Sequence, residues 1–340
     1  MTNLAFVFPG QGSQTVGMGR AVYESSPAAR ATFDEADAIL GYKLSEICFN
    51  GPAERLNETA VAQPAVLATS IAVFEAMVES VTERLGRRVT DGSEPRGVLA
   101  LPEHLRPTFV AGHSLGEFSA LVTAGVLPFS DALRLVAERG SLASTRGAKG
   151  AMAAIIGLPV ADVERVIRET VPAGTVVVAN DNGPSQVTIA GDETSIAPVK
   201  AALEKHGARK VVPLRISAPF HFPDMGRIGP DLRAFMQTLR FREPVVPIIA
   251  NVNALPHLPS ASEIQEALVR HLSQRVEWLR SVRYMAERGA STFVEIGAGQ
   301  VVNGLVKRIA DVKLLNVSDP HSISGAIRTL RERSFFPATS

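Results

Sequence analysis

Along this chain, short unbroken apolar runs alternate with longer stretches in which apolar residues return every three or four positions. The first run, Leu4-Ala5-Phe6-Val7-Phe8, stops at Pro9-Gly10. Similar strand-like stretches fall at 108–111, 175–179, 186–190, 211–216, 245–250 and 292–296. Helical spacing marks 61–85, 115–124, 130–145, 160–170, 193–206, 224–239 and 263–288. Short buried strands alternating with helices predict an α/β fold whose main sheet is mostly parallel. Pro64 is expected in the first turn of its helix, where a missing amide does no harm.

The stretch 151–217 differs from its surroundings. Ala151–Ile156, Val176–Val178, Val187–Ile189 and Val211–Leu214 read as four short strands, with helical segments at 160–170 and 193–206. The order strand–helix–strand–strand–helix–strand is that of a ferredoxin-like α+β unit. Asn180-Asp181-Asn182-Gly183 is expected to turn the chain between the two middle strands. The pattern therefore predicts a large α/β domain of residues 1–148 and 219–340, carrying an inserted subdomain of residues 149–218. A cleft between two such units is a natural substrate site. The polar run from Arg87 to Arg96, with three arginines and no apolar period, reads as a solvated loop.

Composition narrows the class. With 340 residues and 46% hydrophobic content, the chain can bury a sizeable core. Lys+Arg 35 against Asp+Glu 34 leaves a formal charge of +1, which gives no reason to expect a nucleic-acid partner. The lone Cys48 excludes an internal disulfide framework and fits a reducing compartment as a small buried hydrophobe. Met1-Thr2-Asn3 leads directly into the first strand with no basic leader, so a signal peptide is not expected. No uninterrupted apolar stretch approaches the ~20 residues that cross a bilayer. The expectation is a cytoplasmic protein with no membrane partner, no metal and no permanently bound cofactor.

The run Phe109-Val110-Ala111-Gly112-His113-Ser114-Leu115-Gly116-Glu117-Phe118 sets Gly-x-Ser-x-Gly between a strand-like stretch and a helical one. That context marks a nucleophile elbow: a serine on a sharp strand-to-helix turn, with small neighbours where backbone would otherwise clash. Ser114 is the candidate for covalent acyl chemistry, and it needs a base. Among seven histidines, His221 has the most suggestive setting, a constrained turn Ser217-Ala218-Pro219-Phe220-His221-Phe222 after a strand. His113, adjacent to the serine, reads as a brace for the turn. The partner of the second His221 ring nitrogen stays open between a carboxylate and a backbone carbonyl. Phe8-Pro9-Gly10-Gln11-Gly12-Ser13-Gln14 lacks phosphate-loop and dinucleotide spacings. Its glycines suit close backbone approach, which pairs the Gln11 amide with that of Leu115 as two oxyanion donors. Arg139 reads either as a solvated arginine or as a clamp that grips a carboxylate through two parallel hydrogen bonds.

These stretches, with Glu138-Arg139-Gly140, Ala218-Pro219-Phe220-His221 and Val294-Glu295-Ile296-Gly297-Ala298-Gly299, resemble the malonyl-CoA:acyl-carrier-protein transacylases and the related acyltransferase domains of polyketide synthases, from Phe6 to about Ile309. The resemblance implies a hydrolase-like α/β domain with an inserted ferredoxin-like domain. It implies that Ser114 carries the acyl group, that His221 is its base, that the amides of Gln11 and Leu115 form the oxyanion hole, and that Arg139 holds the malonyl carboxylate. Malonyl-CoA would be the donor substrate, and the phosphopantetheine thiol of a holo-acyl carrier protein the acceptor. Three positions depart from the family. His271 stands where glutamine is common, near a backbone carbonyl that orients the catalytic histidine. Ala143-Ser144 replaces a methionine-glutamine pair, and Phe222-Pro223-Asp224 replaces a small residue, proline and leucine. Ala143, Phe222 and His271 are thus candidate pocket or orienting residues. The competing readings are an acyl-carrier-protein acyl hydrolase, a transferase using a substituted malonyl donor, and an idle docking subunit. Arg270, Arg275, Arg280, Arg283, Arg288, Lys307 and Arg308 read either as an ordinary solvated helix surface or, some of them, as a positive face toward an acidic carrier.

Overall fold

In a computed structural model of the protein, which describes residues 3–84, 97–214, 216 and 218–335, the run Leu4–Phe8 forms strand β1 and is buried throughout. The other strands among the described residues are β2 (Phe109–Gly112), β3 (Ala151–Ile156), β4 (Val176–Gly183), β5 (Gln186–Gly191), β6 (Lys210–Pro213), β7 (Ile248–Ile249), β8 (Thr292–Ile296) and β9 (Lys313–Val317).

β1 lies in the middle of a five-stranded sheet of order β7-β2-β1-β8-β9, with every pairing parallel. A parallel sheet is covered on both faces, which is why its strands read as continuous apolar runs. Alternate side chains separate to opposite faces. Leu4, Phe6 and Phe8 join one core, while Ala5 and Val7 join a second around Trp278, Val282 and Phe293. The first core is built on the helix Thr59–Arg84. Part of that helix is apolar and long enough to cross a membrane, yet it is 94% buried inside the protein, as a core helix is.

β3, β4, β5 and β6 form a separate antiparallel sheet of order β4-β5-β3-β6. The helices Val160–Thr170 and Glu193–Lys205 pack on it around Ile155, Val166, Ile189 and Leu203. This is the ferredoxin-like arrangement that the sequence order implies.

Several local expectations are corrected. The first turn of the long helix is made by Val61 and Ala62, whose amides donate to the Glu58 carbonyl at 2.8 and 2.7 Å. The helix therefore starts at Thr59, and Pro64 lies inside it, past that first turn. Asn180–Gly183 is not a turn but the end of β4, bulged and paired with β5 from Gln186 to Thr188. β7 is shorter than 245–250 because Pro247 has no amide to give a ladder and Val245 is exposed. The helical stretch 263–288 is two helices, Ala261–Arg270 and Trp278–Glu287, with an irregular connection between them. That connection is tied elsewhere: Val276 donates to the Ala179 carbonyl and accepts from the Asp181 amide, both at 2.9 Å, which joins it to β4. Residues 224–239 divide into a 3-10 turn, Pro223–Ile228, and a helix, Gly229–Met236. The expected loop 87–96 lies outside the described residues, as do Arg215 in the 211–216 stretch and Ser217 just after it.

Candidate active site

The carboxyl ends of β1 and β2 lie side by side at the middle of the main sheet, where loops from neighbouring strands converge. β2 ends at Gly112, and the helix Gly116–Thr123 starts four residues later. Between them Ser114 adopts φ 50°, a left-handed conformation that costs a non-glycine residue energy and places its oxygen at the apex of the turn. Only glycine fits the flanks. A Cβ on Gly112 would lie 1.8 Å from the Gly116 carbonyl carbon, and one on Gly116 would lie 2.3 Å from the Phe8 carbonyl oxygen.

His221 also has positive φ, at 65°, and its amide donates to the Leu272 carbonyl at 2.8 Å. Its Nε2 is 2.8 Å from Ser114 Oγ. Its Nδ1 faces the carbonyls of His271 and Gln274 at 2.9 and 3.2 Å. Carbonyls only accept, so the ring proton sits on Nδ1 and the Nε2 lone pair points at the serine hydroxyl. Burial, followed by the charges of Arg139 and His113, pushes the imidazole down to about 3, against the two carbonyl bonds that favour its charged form. The ring is therefore neutral at neutral pH and able to take a proton.

Arg139 comes from the helix Phe129–Arg146 and is 2% exposed. One guanidinium nitrogen, Nη1, donates to Gln63 Oε1 at 2.8 Å, whereas Nη2 is buried without a partner. The guanidinium carbon lies 4.0 Å from the centre of the Phe220 ring and 5.7 Å from that of Phe118. Burial lowers this arginine to about 9, with Glu117 opposing. A buried cation with a free donor, near enough for its charge to act on His221, is set to receive an anion. Gln11 follows β1 and donates through its side chain to Thr59 Oγ1 at 3.2 Å, and Leu115 is buried directly after the serine. Ala143 is buried one turn beyond Arg139 on the same helix, and Phe222 is buried directly after His221. His113 donates from Nε2 to Asn182 Oδ1 at 2.7 Å and meets the Trp278 ring edge-on, which braces the elbow against β4.

Behind the pair lies a polar cluster of which the sequence reading singled out only His271. Glu117 Oε1 is 2.7 Å from His257 Nε2, and its Oε2 accepts from Asn251 Nδ2 at 2.6 Å. His271 is fully buried with its ring 4.9 Å from that of His221, and both of its ring nitrogens lack a hydrogen-bond partner. Glu117 and Gln63 do carry a signal, a polar side chain inside an apolar helical run. Asn251 carries another, a polar residue at the carboxyl end of a strand. Elsewhere, Arg275 is tied to Glu164 and Glu277 and Arg280 approaches Glu277, while Arg270, Arg283, Arg288, Lys307 and Arg308 are exposed. Among the described residues no three His, Cys, Asp or Glu side chains group to hold a metal.

A serine elbow at the end of a parallel strand, a histidine at hydrogen-bonding distance and a ferredoxin-like sheet alongside define an α/β acyl-transfer protein. Comparison with known proteins agrees. The family described as acyl transferase domain matches residues 5–84 and 101–334. The malonyl CoA-acyl carrier protein transacylase of Bacillus subtilis is 38% identical over 338 residues, covering 98% of this chain and 99% of that protein. The solved acyl-carrier-protein-S-malonyltransferase of Bartonella henselae is 38% identical with a TM-score of 0.87, over 97% of this chain and 100% of that one. A malonyl-transacylase solved in complex with its type II PKS acyl-carrier protein is 36% identical with a TM-score of 0.85, over 96% and 99% of the two chains. The chain belongs to the malonyl-CoA:acyl-carrier-protein transacylase family of acyl transferase domains.

Proposed function

We propose that the protein transfers a malonyl group from malonyl-CoA to the phosphopantetheine thiol of a holo-acyl carrier protein through an ester on Ser114. The observation that carries this reading is the 2.8 Å contact between Ser114 Oγ and a neutral His221 whose proton is held on the far nitrogen. His221 takes the serine proton as Oγ attacks the thioester carbonyl, forming the C–O bond and a tetrahedral oxyanion. The oxyanion collapses, the C–S bond breaks, and the imidazolium returns the proton to the departing coenzyme A thiolate. The carrier thiol then reverses these steps, giving its proton to His221 and displacing Ser114.

The Ser114 amide already donates to Asn251 Oδ1, so the oxyanion donors are the next amide, of Leu115, and that of Gln11 across the elbow. Arg139 receives the free malonyl carboxylate. Pairing it there also cancels one of the charges that depress His221, so a carboxylated donor strengthens the base that acts on it. The cleft lies between the large unit, 1–148 and 219–340, and the inserted unit, 149–218. Malonyl is taken as the donor ahead of a branched analogue because Ala218-Pro219-Phe220-His221 and Arg139 point to it together, as do the names of the similar transacylases.

Incubation with malonyl-CoA should add one malonyl mass to the intact protein, and Ser114→Ala should not be labelled. Addition of holo-carrier should move the label to the carrier thiol. A wild-type protein that turns over without becoming labelled would overturn the seryl route. Release of free malonate at the same rate with and without carrier would establish the hydrolase instead.

A further inference from the structure

Asn251 lies at the exit of β7, is 2% exposed, and touches both sides of the elbow. Its Oδ1 accepts from the Ser114 amide at 2.9 Å, and its Nδ2 donates to the Gly112 carbonyl at 2.7 Å and to Glu117 Oε2 at 2.6 Å. Its backbone amide also donates to Glu117 Oε2, at 3.2 Å, and its backbone carbonyl accepts from the Glu277 amide at 2.8 Å. Glu117 is in turn fixed by His257 at 2.7 Å.

The direction of this amide is not interchangeable. A turned side chain would set NH2 against the Ser114 N–H, and its oxygen against both the Gly112 carbonyl and the Glu117 carboxylate. Glu117 holds the one orientation in which all three contacts are favourable. The residues so tied, Gly112 and Ser114, bracket the left-handed turn that aims Oγ at His221.

We propose that Asn251 is a positioning residue for acyl transfer: its side-chain amide, oriented by Glu117, clamps both arms of the elbow and holds Ser114 in the conformation that reaches His221. This rests on the acyl-transfer reading of the site. It assigns Asn251 no contact with substrate, so its loss falls on the maximal rate of Ser114 acylation and not on donor affinity.

The test uses full-length protein, malonyl-CoA and single-turnover mass spectrometry of the Ser114 adduct from pH 6 to 8. Asn251→Asp keeps the acceptor for the Ser114 amide but loses the donor, and sets a second carboxyl against Glu117. Two carboxylates at that distance share a proton, and the shared proton restores a donor as the pH falls. His257, His271, Arg139 and His221 are the other titratable groups around it, and they are unchanged in Asn251→Ala, which serves as the control.

The expected result for Asn251→Asp is a maximal acylation rate about 100-fold below wild type at pH 8, recovering at least about tenfold toward pH 6. The half-saturating malonyl-CoA concentration should stay within about threefold. Asn251→Ala should be as slow without recovery. Circular dichroism and melting report folding at each pH. If Asn251→Asp is unfolded at pH 8, the two variants are compared at pH 6, where the Asp variant should be at least about tenfold faster. Equal rates for the two variants at pH 6, a pH-independent loss, or a loss carried by the half-saturating concentration would each overturn the assignment. Absence of any adduct in wild type would instead sink the acyl-transfer reading beneath it.

Discussion

Ser114 and His221 share a hydrogen bond but are positioned by different physical means. The turn at Ser114 is shaped first by its immediate neighbours in the chain, a strand that ends at Gly112, a helix that starts at Gly116 and glycines where any side chain would collide with backbone, and Asn251 then clamps the turn so formed. His221 is held from 50 positions away, by carbonyls of a connection that belongs to neither flanking helix. Local sterics confer a site that sequence motifs reveal. Long-range main-chain bonds confer an equally ordered site with little imprint on residue identity.

The largest effect should come from breaking the local side. Gly112→Ala sets a Cβ only 1.8 Å from the Gly116 carbonyl carbon and forces backbone apart, so Ser114 acylation should fall by more than about 100-fold, with about 1–3 kcal/mol lost in stability. Adduct formation and a melt read the two; acylation within tenfold of wild type would show that the elbow tolerates side chains.

Arg139 sharpens the contrast, since it depends on a side chain. Arg139→Ala should cost malonyl transfer at least ~2 kcal/mol, about 30-fold, while acetyl transfer changes far less. Equal losses for the two donors would point to folding instead of carboxylate binding.

On the His221 side, His271→Gln leaves the carbonyl at position 271 in place, so acylation should change by no more than about threefold. A loss near that of Gly112→Ala would mean that the imidazole of His271, and not its backbone, holds the base.

The smallest effect concerns pH. His221 is pushed down to about 3 from 6.5, so it stays a neutral base throughout pH 5–8, and its own titration should alter the maximal acylation rate by less than about twofold there. Stability behaves differently. Below 6.5 the unfolded chain takes up protons on His221, His113 and His271 that the native chain refuses, so folding weakens steadily with acid. Activity lost on acidification should therefore follow unfolding by circular dichroism. A loss of acylation at pH 5.5 in a fully folded sample would contradict this.

This difference explains what was legible in the sequence. The alternation of runs yields both sheets, because burial on two faces leaves unbroken apolar strands and the insertion carries its own strand order. The elbow is written in adjacent residues. The carbonyls that hold His221 are not, because every residue has one. The same blindness merged 263–288 into a single helix: its apolar spacing continues through 271–277, while the chain leaves the helix to bond with His221 and β4. Asn180–Gly183 has turn composition but lies in a strand, since its backbone finds partners in β5 and Val276. Strand β9 escapes pattern reading because it sits at the sheet edge, half-buried, without a clear apolar run.

The connection between the helices Ala261–Arg270 and Trp278–Glu287 has one further consequence, a mechanical one. Gln274 holds the imidazole, and two residues later Val276 is bonded into β4 of the small sheet. The small sheet is thus no door on a free hinge. Any movement of that sheet would pull on the 274–276 segment and on the Gln274 carbonyl, leaving Nδ1 to its shorter bond, with the His271 carbonyl at 2.9 Å.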